Sequence, residues 1–302
     1  MSVHINSIKG REAAKNLHTA FATTGIHGRT EMPEDLMPKG IVRGSLEHIL
    51  FITLTVTIDY QRDADLLWES ARRTYEDPET RYLFHLKSLA DTNLNKIKRD
   101  MGKYKLSKKH NKDPEYWKTV GESFFKKWNG DPRNFLRNCG WSAPLALQNL
   151  KKRSHVENGK KKKDFPYLSG DKIGPLWVRM MRDNAEIEEL HHLERVPIPV
   201  DRHIARATLS IGIVRGYYKG NLNQIFETIR KAWFESVEGL TINGREMIAL
   251  DVDEPLWHLS KYGCTDRDKN TGFCRHIQNC EAKEYCIPGR VLVNENTVEL
   301  NT

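Results

Sequence analysis

Four of the five cysteines in this 302-residue chain lie close together near its C-terminus, at Cys264, Cys274, Cys280 and Cys286. Their spacing is C-x9-C-x5-C-x5-C. The first sixteen residues are polar and lack the apolar core of a signal peptide, so we expect an intracellular protein with reduced thiols. Clustered thiols in a reducing compartment indicate metal ligation rather than disulfides.

The gaps between these cysteines bear on which metal group they hold. Four thiolates hold either a zinc ion or a [4Fe–4S] cluster. Structural zinc sites favour short C-x2–4-C pairs, which this segment lacks, so the wider gaps favour iron–sulfur and zinc is the alternative. His276 lies inside the segment as either a substitute ligand or an exposed side chain, and Cys139 is interpreted as a packed core thiol.

The rest of the chain carries a helical pattern. Ser45 followed by an apolar run predicts a capped helix buried on most faces, although the β-branched residues at 52–58 also allow a strand. Asp-Pro-Glu at positions 77 and 113 is typical of a helix start. With no convincing alternating strand pattern, the predicted fold class is all-α.

Composition and charge exclude some classes of protein. Hydrophobic residues make up 38% and charged residues 29%, which is typical of a globular rather than a disordered chain. No apolar run reaches the length of a membrane span. The net charge of +8 is compatible with a nucleic-acid partner but does not require one.

The Gly- and Lys-rich segment 151–163 is predicted to be an exposed loop.

A Gly-containing turn precedes a predicted apolar helix near position 175. The turn and helix start include Ser169, Gly170, Ile173 and Gly174. Unpaired backbone N–H groups at a helix start form a phosphate site. The segment is therefore either a phosphate-binding hairpin or an ordinary junction between a loop and a helix.

Asp201 lies where another helix should begin, after two prolines that stiffen its approach. We interpret it as an N-cap, and the positive end of the helix would keep its carboxylate ionised. A fixed, ionised carboxylate is what a reaction through a sugar oxocarbenium ion requires.

These two segments together resemble the helix-hairpin-helix DNA glycosylase superfamily, which includes endonuclease III and the adenine and 8-oxoguanine glycosylases. In that family a hairpin grips the DNA backbone, and a Pro-Val-Asp-x-His/Arg segment supplies the essential aspartate. Pro199-Val200-Asp201-Arg202-His203 matches that segment, and the fuller run from Val196 is similar to archaeal 8-oxoguanine glycosylases. The resemblance covers residues 43–290, although the hairpin lacks the usual Gly-x-Gly.

The resemblance implies a two-lobed, all-α fold with a C-terminal four-Cys loop. It implies one lobe at 43–184 and a second formed by 1–42 and 185–302. It also implies a [4Fe–4S] cluster, although endonuclease III spaces its cysteines C-x6-C-x2-C-x5-C and only the last gap matches. Asp201 would then assist cleavage of the N-glycosidic bond of a flipped-out base in double-stranded DNA, leaving an abasic site.

The base excised is not readable from the sequence, which leaves damaged and modified bases open. A monomeric, cytoplasmic, nucleoid-associated protein is expected. Two other interpretations are a non-catalytic iron–sulfur protein that binds DNA or senses redox state, and a zinc-stabilised RNA-binding protein.

Family members with lyase activity carry a nucleophilic lysine in the first turn after the hairpin. In one register Gly170-Asp171-Lys172 matches the family's Gly-x-Lys, which makes Lys172 the nucleophile. In the other register Leu176 occupies the lysine position, and base release uses water alone. Pro175 favours the second register if it is the first helical residue, so both stay open.

Further DNA contacts are expected around these segments. Lys162 and Lys163 end a four-lysine run just before the hairpin, and Arg202 and Arg206 flank Asp201. Gln61, or Tyr60 beside it, lies where the family places the residue that fills the gap left by the flipped base.

Overall fold

A computed structural model describes residues 2–268 and 272–302, and within them the chain is mostly helical. The α-helices, in chain order, are α1 Ser7–Thr23, α2 Leu46–Thr57, α3 Ala64–Glu76, α4 Leu86–Asp91, α5 Leu94–Lys103, α6 Asp113–Trp128, α7 Pro132–Asn138, α8 Ala143–Lys152, α9 Ile173–Asp183, α10 Arg202–Ser210, α11 Phe226–Val237 and α12 Asp253–Tyr262. The strands are β1 Ser2–Ile5, β2 Ser154–Glu157, β3 Lys160–Lys163, β4 Val214–Asn221, β5 Thr241–Ile242, β6 Arg245–Glu246, β7 Arg290–Val293 and β8 Thr297–Asn301. Within the described residues, no helix is long and apolar enough to cross a bilayer.

The chain divides into two compact units. Met1–Thr30 and Val196–Thr302 form the first, called the terminal unit, and Glu31–Arg195 forms the second, called the central unit. The sequence placed these boundaries at 43 and 184, whereas the segments just outside that range belong to the central unit. Two contacts explain why these segments belong to the central unit. Asn184 donates a 2.7 Å hydrogen bond to Asp35, and a backbone bridge joins Ser142 to His191.

Helix α2 is the buried centre of the central unit. Ser45 caps it by accepting a hydrogen bond from the backbone N–H of His48, and every residue from there to Thr57 is buried. The predicted buried helix is therefore confirmed, and the strand alternative is wrong. Burial on all faces explains the apolar sequence, and Trp177 of α9 donates a 3.0 Å hydrogen bond to the hydroxyl of Thr53.

A small antiparallel sheet in the terminal unit corrects the all-α prediction. Its strand order is β1-β4-β8-β7. Strand β4 was missed because Gly216 and Gly220 interrupt its alternation. Gly216 has a φ of +124°, and a Cβ there would lie 2.2 Å from the carbonyl oxygen of Ser2, so only glycine allows β1 to pair here. Helix α10 ends at Ser210, since Gly212 has a φ of +70°.

The four-lysine run is also a strand. β2 and β3 form an antiparallel hairpin, and Asn158 and Gly159 between them have φ values of 49° and 74°. Positive φ at both central residues is the requirement of a two-residue hairpin turn of type I′. The predicted exposure of Lys160–Lys163 is correct, while the predicted loop is wrong because the Asn-Gly signal was overlooked.

Candidate functional site

Asp201 caps the first turn of α10. Its Oδ1 accepts hydrogen bonds from the backbone N–H groups of His203 at 2.7 Å and Ile204 at 3.1 Å. The capping role predicted from the sequence is confirmed. Because the N-terminal end of a helix carries partial positive charge, this position stabilises an ionised carboxylate. Asp201 is half-buried, so the carboxylate is held in place and still accessible.

The segment that leads to Asp201 is anchored in the core of the terminal unit. Val196, Ile198 and Val200 are fully buried, and the two prolines between them restrict the backbone. Every second side chain of this segment is therefore buried, which fixes the backbone that leads to Asp201. This anchoring limits how far the carboxylate can move.

Polar groups surround the capped turn. The hydroxyl of Ser260 lies 3.3 Å from Nδ1 of His203 and accepts a 3.2 Å hydrogen bond from Arg206. Arg206 also donates to the carbonyl oxygen of Val293 at 2.8 Å. Arg202 forms a 3.9 Å ion pair with a more exposed glutamate. Of the two predicted phosphate contacts, Arg206 is thus engaged inside the unit, whereas Arg202 forms that long surface pair and also donates from Nε to Nε2 of His203 at 3.4 Å.

The hairpin segment of the central unit is a tight turn that runs into α9. Gly170 donates its backbone N–H to the carbonyl oxygen of Tyr167 at 2.7 Å, and Gly174 donates to Gly170 at 2.9 Å. A Cβ at position 170 would lie 3.0 Å from that same Tyr167 oxygen, so glycine permits the close approach. Ser169, Ile173 and Gly174 are buried, and the N–H groups of Ser169, Gly170 and Gly174 are donated within this segment, so these residues do not supply the unpaired donors that the predicted phosphate site needs.

Lys172 directly precedes α9, and its side chain forms an ion pair rather than a capping hydrogen bond. Its ammonium lies 3.2 Å from Oδ2 of Asp59 and 3.3 Å from the backbone oxygen of the same residue. Leu176, the alternative in the lysine position, is buried in α9. Pro175 is the third residue of α9, where the backbone N–H has no partner within the helix. Both registers therefore suit the helix, and proline does not decide between them.

An aromatic cluster that the sequence did not predict adjoins Gln61. The rings of Tyr60 and Tyr167 stack at 5.4 Å, and Tyr116 meets Tyr167 edge-on at 4.5 Å. The ammonium of Lys109 lies 4.3 Å from the Tyr60 ring centroid. Gln61 has a φ of 53°, and Tyr60 is 40% exposed. The turn therefore presents an exposed aromatic face beside a cation.

Two lysine-rich segments lie in the central unit. In β3, Lys162 pairs with Glu157, and Lys163 lies 3.4 Å from the hydroxyl of Ser169. The second segment, 103–112, holds five lysines and no acid, and sequence reasoning overlooked it. This excess of lysine could have predicted a cation beside the aromatic cluster.

The four clustered cysteines line one enclosed cavity in the terminal unit. Cys264, Cys274 and Cys280 are buried and Cys286 is half-buried. All are free thiols, as is Cys139, whose burial confirms the predicted core position. The rest of the cavity wall is largely apolar and includes Ile211, Leu259 and Ala282.

Burial disfavours thiolates in this cavity. It raises the pKa of Cys264 far above the usual range and that of Cys280 to about 12. The neighbouring cysteines raise the pKa of Cys264 further. Burial likewise raises the pKa of Cys286, with Arg267 acting in the opposite direction. Thiolates are stable here only beside positive charge, which bound metal supplies.

A mixed group of possible metal ligands adjoins the same cavity. Ligand atoms of His27, Cys280 and Glu281 lie within 4.8 Å of one another. The carboxylate of Glu281 accepts a 3.1 Å hydrogen bond from the backbone N–H of His27. His276 is exposed, and its ring lies 6.3 Å from that of His27. This group could hold a single metal ion.

No protein-family model matches the chain, and no curated protein matches it. The residues themselves therefore carry the functional argument. Asp201 and the cysteine cavity belong to the terminal unit, while the hairpin, Lys172 and Gln61 belong to the central unit.

Proposed function

We propose that this chain is a DNA N-glycosylase of the helix-hairpin-helix type, which flips a damaged or modified base out of double-stranded DNA and cleaves its N-glycosidic bond. The observation that carries the proposal is the carboxylate of Asp201, held by two backbone N–H groups at the start of α10. A monomer in the cytoplasm, associated with the nucleoid, fits this function.

The chemistry assigned to Asp201 follows from its position. Departure of the base leaves positive charge on the sugar, and a carboxylate already oriented by the helix stabilises that charge without reorganisation. The same carboxylate is suited to orient the attacking water. Arg202, beside it, is suited to contact a flanking phosphate.

DNA binding draws on the central unit. The N–H groups of Gly170 and Gly174 are already donated within the turn, so we assign the attraction for phosphate to Lys162 and Lys163, and this attraction is salt-sensitive. Gln61 lies on a turn with an exposed tyrosine face, which supports a role beside the base that is flipped out.

The cysteine cavity fits a [4Fe–4S] cluster better than a zinc ion. In a tetrahedral site with Zn–S bonds of about 2.3 Å, the sulfurs lie about 3.8 Å apart. The ligand group found within 4.8 Å among the described residues, His27, Cys280 and Glu281, includes just one of the four clustered cysteines. Cys264, Cys274, Cys280 and Cys286 would hold the cluster, whose role is to cross-link this part of the terminal unit.

Lyase activity depends on Lys172. Attack on the sugar requires an amine that can reach it, and the Nζ of Lys172 is held in an ion pair 3.2 Å from the carboxylate of Asp59. We therefore propose that base release uses water and that Lys172 acts mainly as a cation near the DNA backbone.

The decisive experiment compares the wild type with Asp201→Asn in base release from duplexes that each carry one modified base. Asparagine caps helices as well as aspartate does, so the substitution removes the charge and keeps the fold. We expect base release to fall at least about a hundredfold, as for other preorganised charges in active sites. DNA affinity should change little.

Asp131→Asn is the matched control, because Asp131 caps α7 in the same way and carries no proposed role. It should retain wild-type base release. Normal base release by Asp201→Asn would refute the mechanism. Wild-type protein that binds DNA but releases no base from the whole panel would instead favour a non-catalytic DNA-binding protein.

A further inference from the structure

Arg267 holds together the segments that form the cysteine cavity. Its guanidinium donates hydrogen bonds to the carbonyl oxygens of Gly272 at 2.5 Å, Ile287 at 2.9 Å and Gly289 at 3.0 Å. A backbone bridge also joins Arg267 to Cys274. The planar guanidinium presents five donors in a rigid fork, which suits it to bind several carbonyl groups at once.

The same guanidinium joins a cysteine to α10. Nη2 of Arg267 lies 3.5 Å from Sγ of Cys286 and donates a 3.1 Å hydrogen bond to the carbonyl oxygen of Ser210. Ser210 is the last residue of α10, whose first turn is capped by Asp201. The helix has nine residues and so is about 14 Å long.

We propose that Arg267 couples the metal site to the catalytic carboxylate through α10. It connects the cysteine segment to the C-terminal end of this helix, and Asp201 lies at the opposite end. Metal held by the cysteines would thereby restrict the helix and keep Asp201 in place. This inference rests on the proposed function for the role of Asp201, but the structural coupling itself can be tested without it.

Two further contacts support the connection. Ile287, which follows the last cysteine, donates its backbone N–H to the carbonyl oxygen of Ser210 at 3.1 Å. A Cβ at Gly212 would lie 2.7 Å from the side chain of Ile287, so glycine lets the cysteine segment approach the end of α10. A cation at the C-terminal end of a helix is also favoured by the helix dipole.

Hydrogen exchange of the intact protein, with its metal as isolated, tests the coupling. The informative amides are those of His203 and Ile204, because both donate to the carboxylate of Asp201. In Arg267→Gln we expect these amides to exchange about tenfold faster, since loss of the hydrogen bonds to Ser210 and the cysteine segment weakens the far end of the helix. Arg267→Lys keeps the charge but loses the planar set of guanidinium donors, so we expect an exchange rate between those of the wild type and Arg267→Gln.

Arg275→Gln is the matched control, because Arg275 is an exposed arginine of the same cysteine segment. It should leave exchange in α10 unchanged. Faster exchange confined to the cysteine segment in Arg267→Gln, with α10 as in the wild type, would overturn the coupling. If Arg267→Gln does not fold, the comparison of Arg267→Lys with Arg275→Gln decides in the same way.

Base release provides a second readout. Arg267→Gln should lower kcat with little change in KM for the DNA, because Asp201 acts after binding. A protein that releases no base in any variant would refute the proposed function, while the exchange result would still decide the coupling.

Discussion

The ammonium of Lys172 lies 3.2 Å from the carboxylate of Asp59, so the turn after α2 and the start of α9 are joined by an ion pair. Both residues are largely buried. The side chain that the sequence offered as a nucleophile therefore has a structural partner, and that partner affects its chemistry.

Borohydride trapping of a covalent DNA adduct tests the consequence. We expect little adduct from the wild type, because Lys172 is held in the ion pair with Asp59. Asp59→Asn removes the ion pair that holds Lys172 and should increase the trapped adduct by about tenfold or more. Lys172→Met should abolish any adduct, and Asp91→Asn, at an exposed acid in α4, should match the wild type. Trapping by the wild type as strong as by Asp59→Asn would contradict this.

Metal content distinguishes the four clustered cysteines from the fifth. Cys274→Ser removes one of the thiols lining the cavity, so the purified protein should lose most of its iron and its visible absorbance. Cys139→Ser changes a buried thiol in the other unit and should keep both. Zinc in place of iron in the wild type, measured by elemental analysis, would refute the cluster.

The ion pair between Arg179 and Glu34 should contribute strongly to the stability of the central unit. Arg179 is fully buried and Glu34 is 3% exposed. Burial raises the pKa of Glu34, with Arg179 acting in the opposite direction. Arg179→Met would leave a carboxyl buried without its partner, and we expect a loss of about 3–5 kcal/mol in the free energy of unfolding.

Denaturant unfolding of a double-mutant cycle measures this interaction. Glu34→Gln combined with Arg179→Met should recover part of the loss, because no buried charge then lacks a partner. Additive losses in the double variant would show that the pair contributes only through packing.

Local chemistry decided what the sequence could predict. The cap at Asp201, the buried helix after Ser45 and the isolated Cys139 follow from rules that act within a few residues. Strand β4 does not, because its Gly216 is selected by the approach of Ser2, which lies more than two hundred positions away. The partner of Lys172 and the contacts of Arg267 are likewise made by segments distant in sequence, and no single-residue pattern identifies them.

The acid sensitivity of the protein should arise in part from His48. This residue is 1% exposed, and its Nδ1 accepts a 3.1 Å hydrogen bond from the backbone N–H of Gly44. Burial, followed by the charge of Arg43, lowers its pKa to about 4 from an ordinary value of 6.5. Between these values the unfolded chain binds a proton that the folded chain does not, so stability falls as the pH decreases.

The expected loss attributable to His48 is about 3 kcal/mol between pH 6.5 and 4, at about 1.4 kcal/mol for each unit of pKa difference. His48→Asn keeps an acceptor for Gly44 and removes the titration, so its unfolding free energy should fall less over this range. His110→Asn, at an exposed histidine, is the control and should follow the wild type. Parallel pH profiles for the wild type and His48→Asn would show that other groups cause the acid sensitivity.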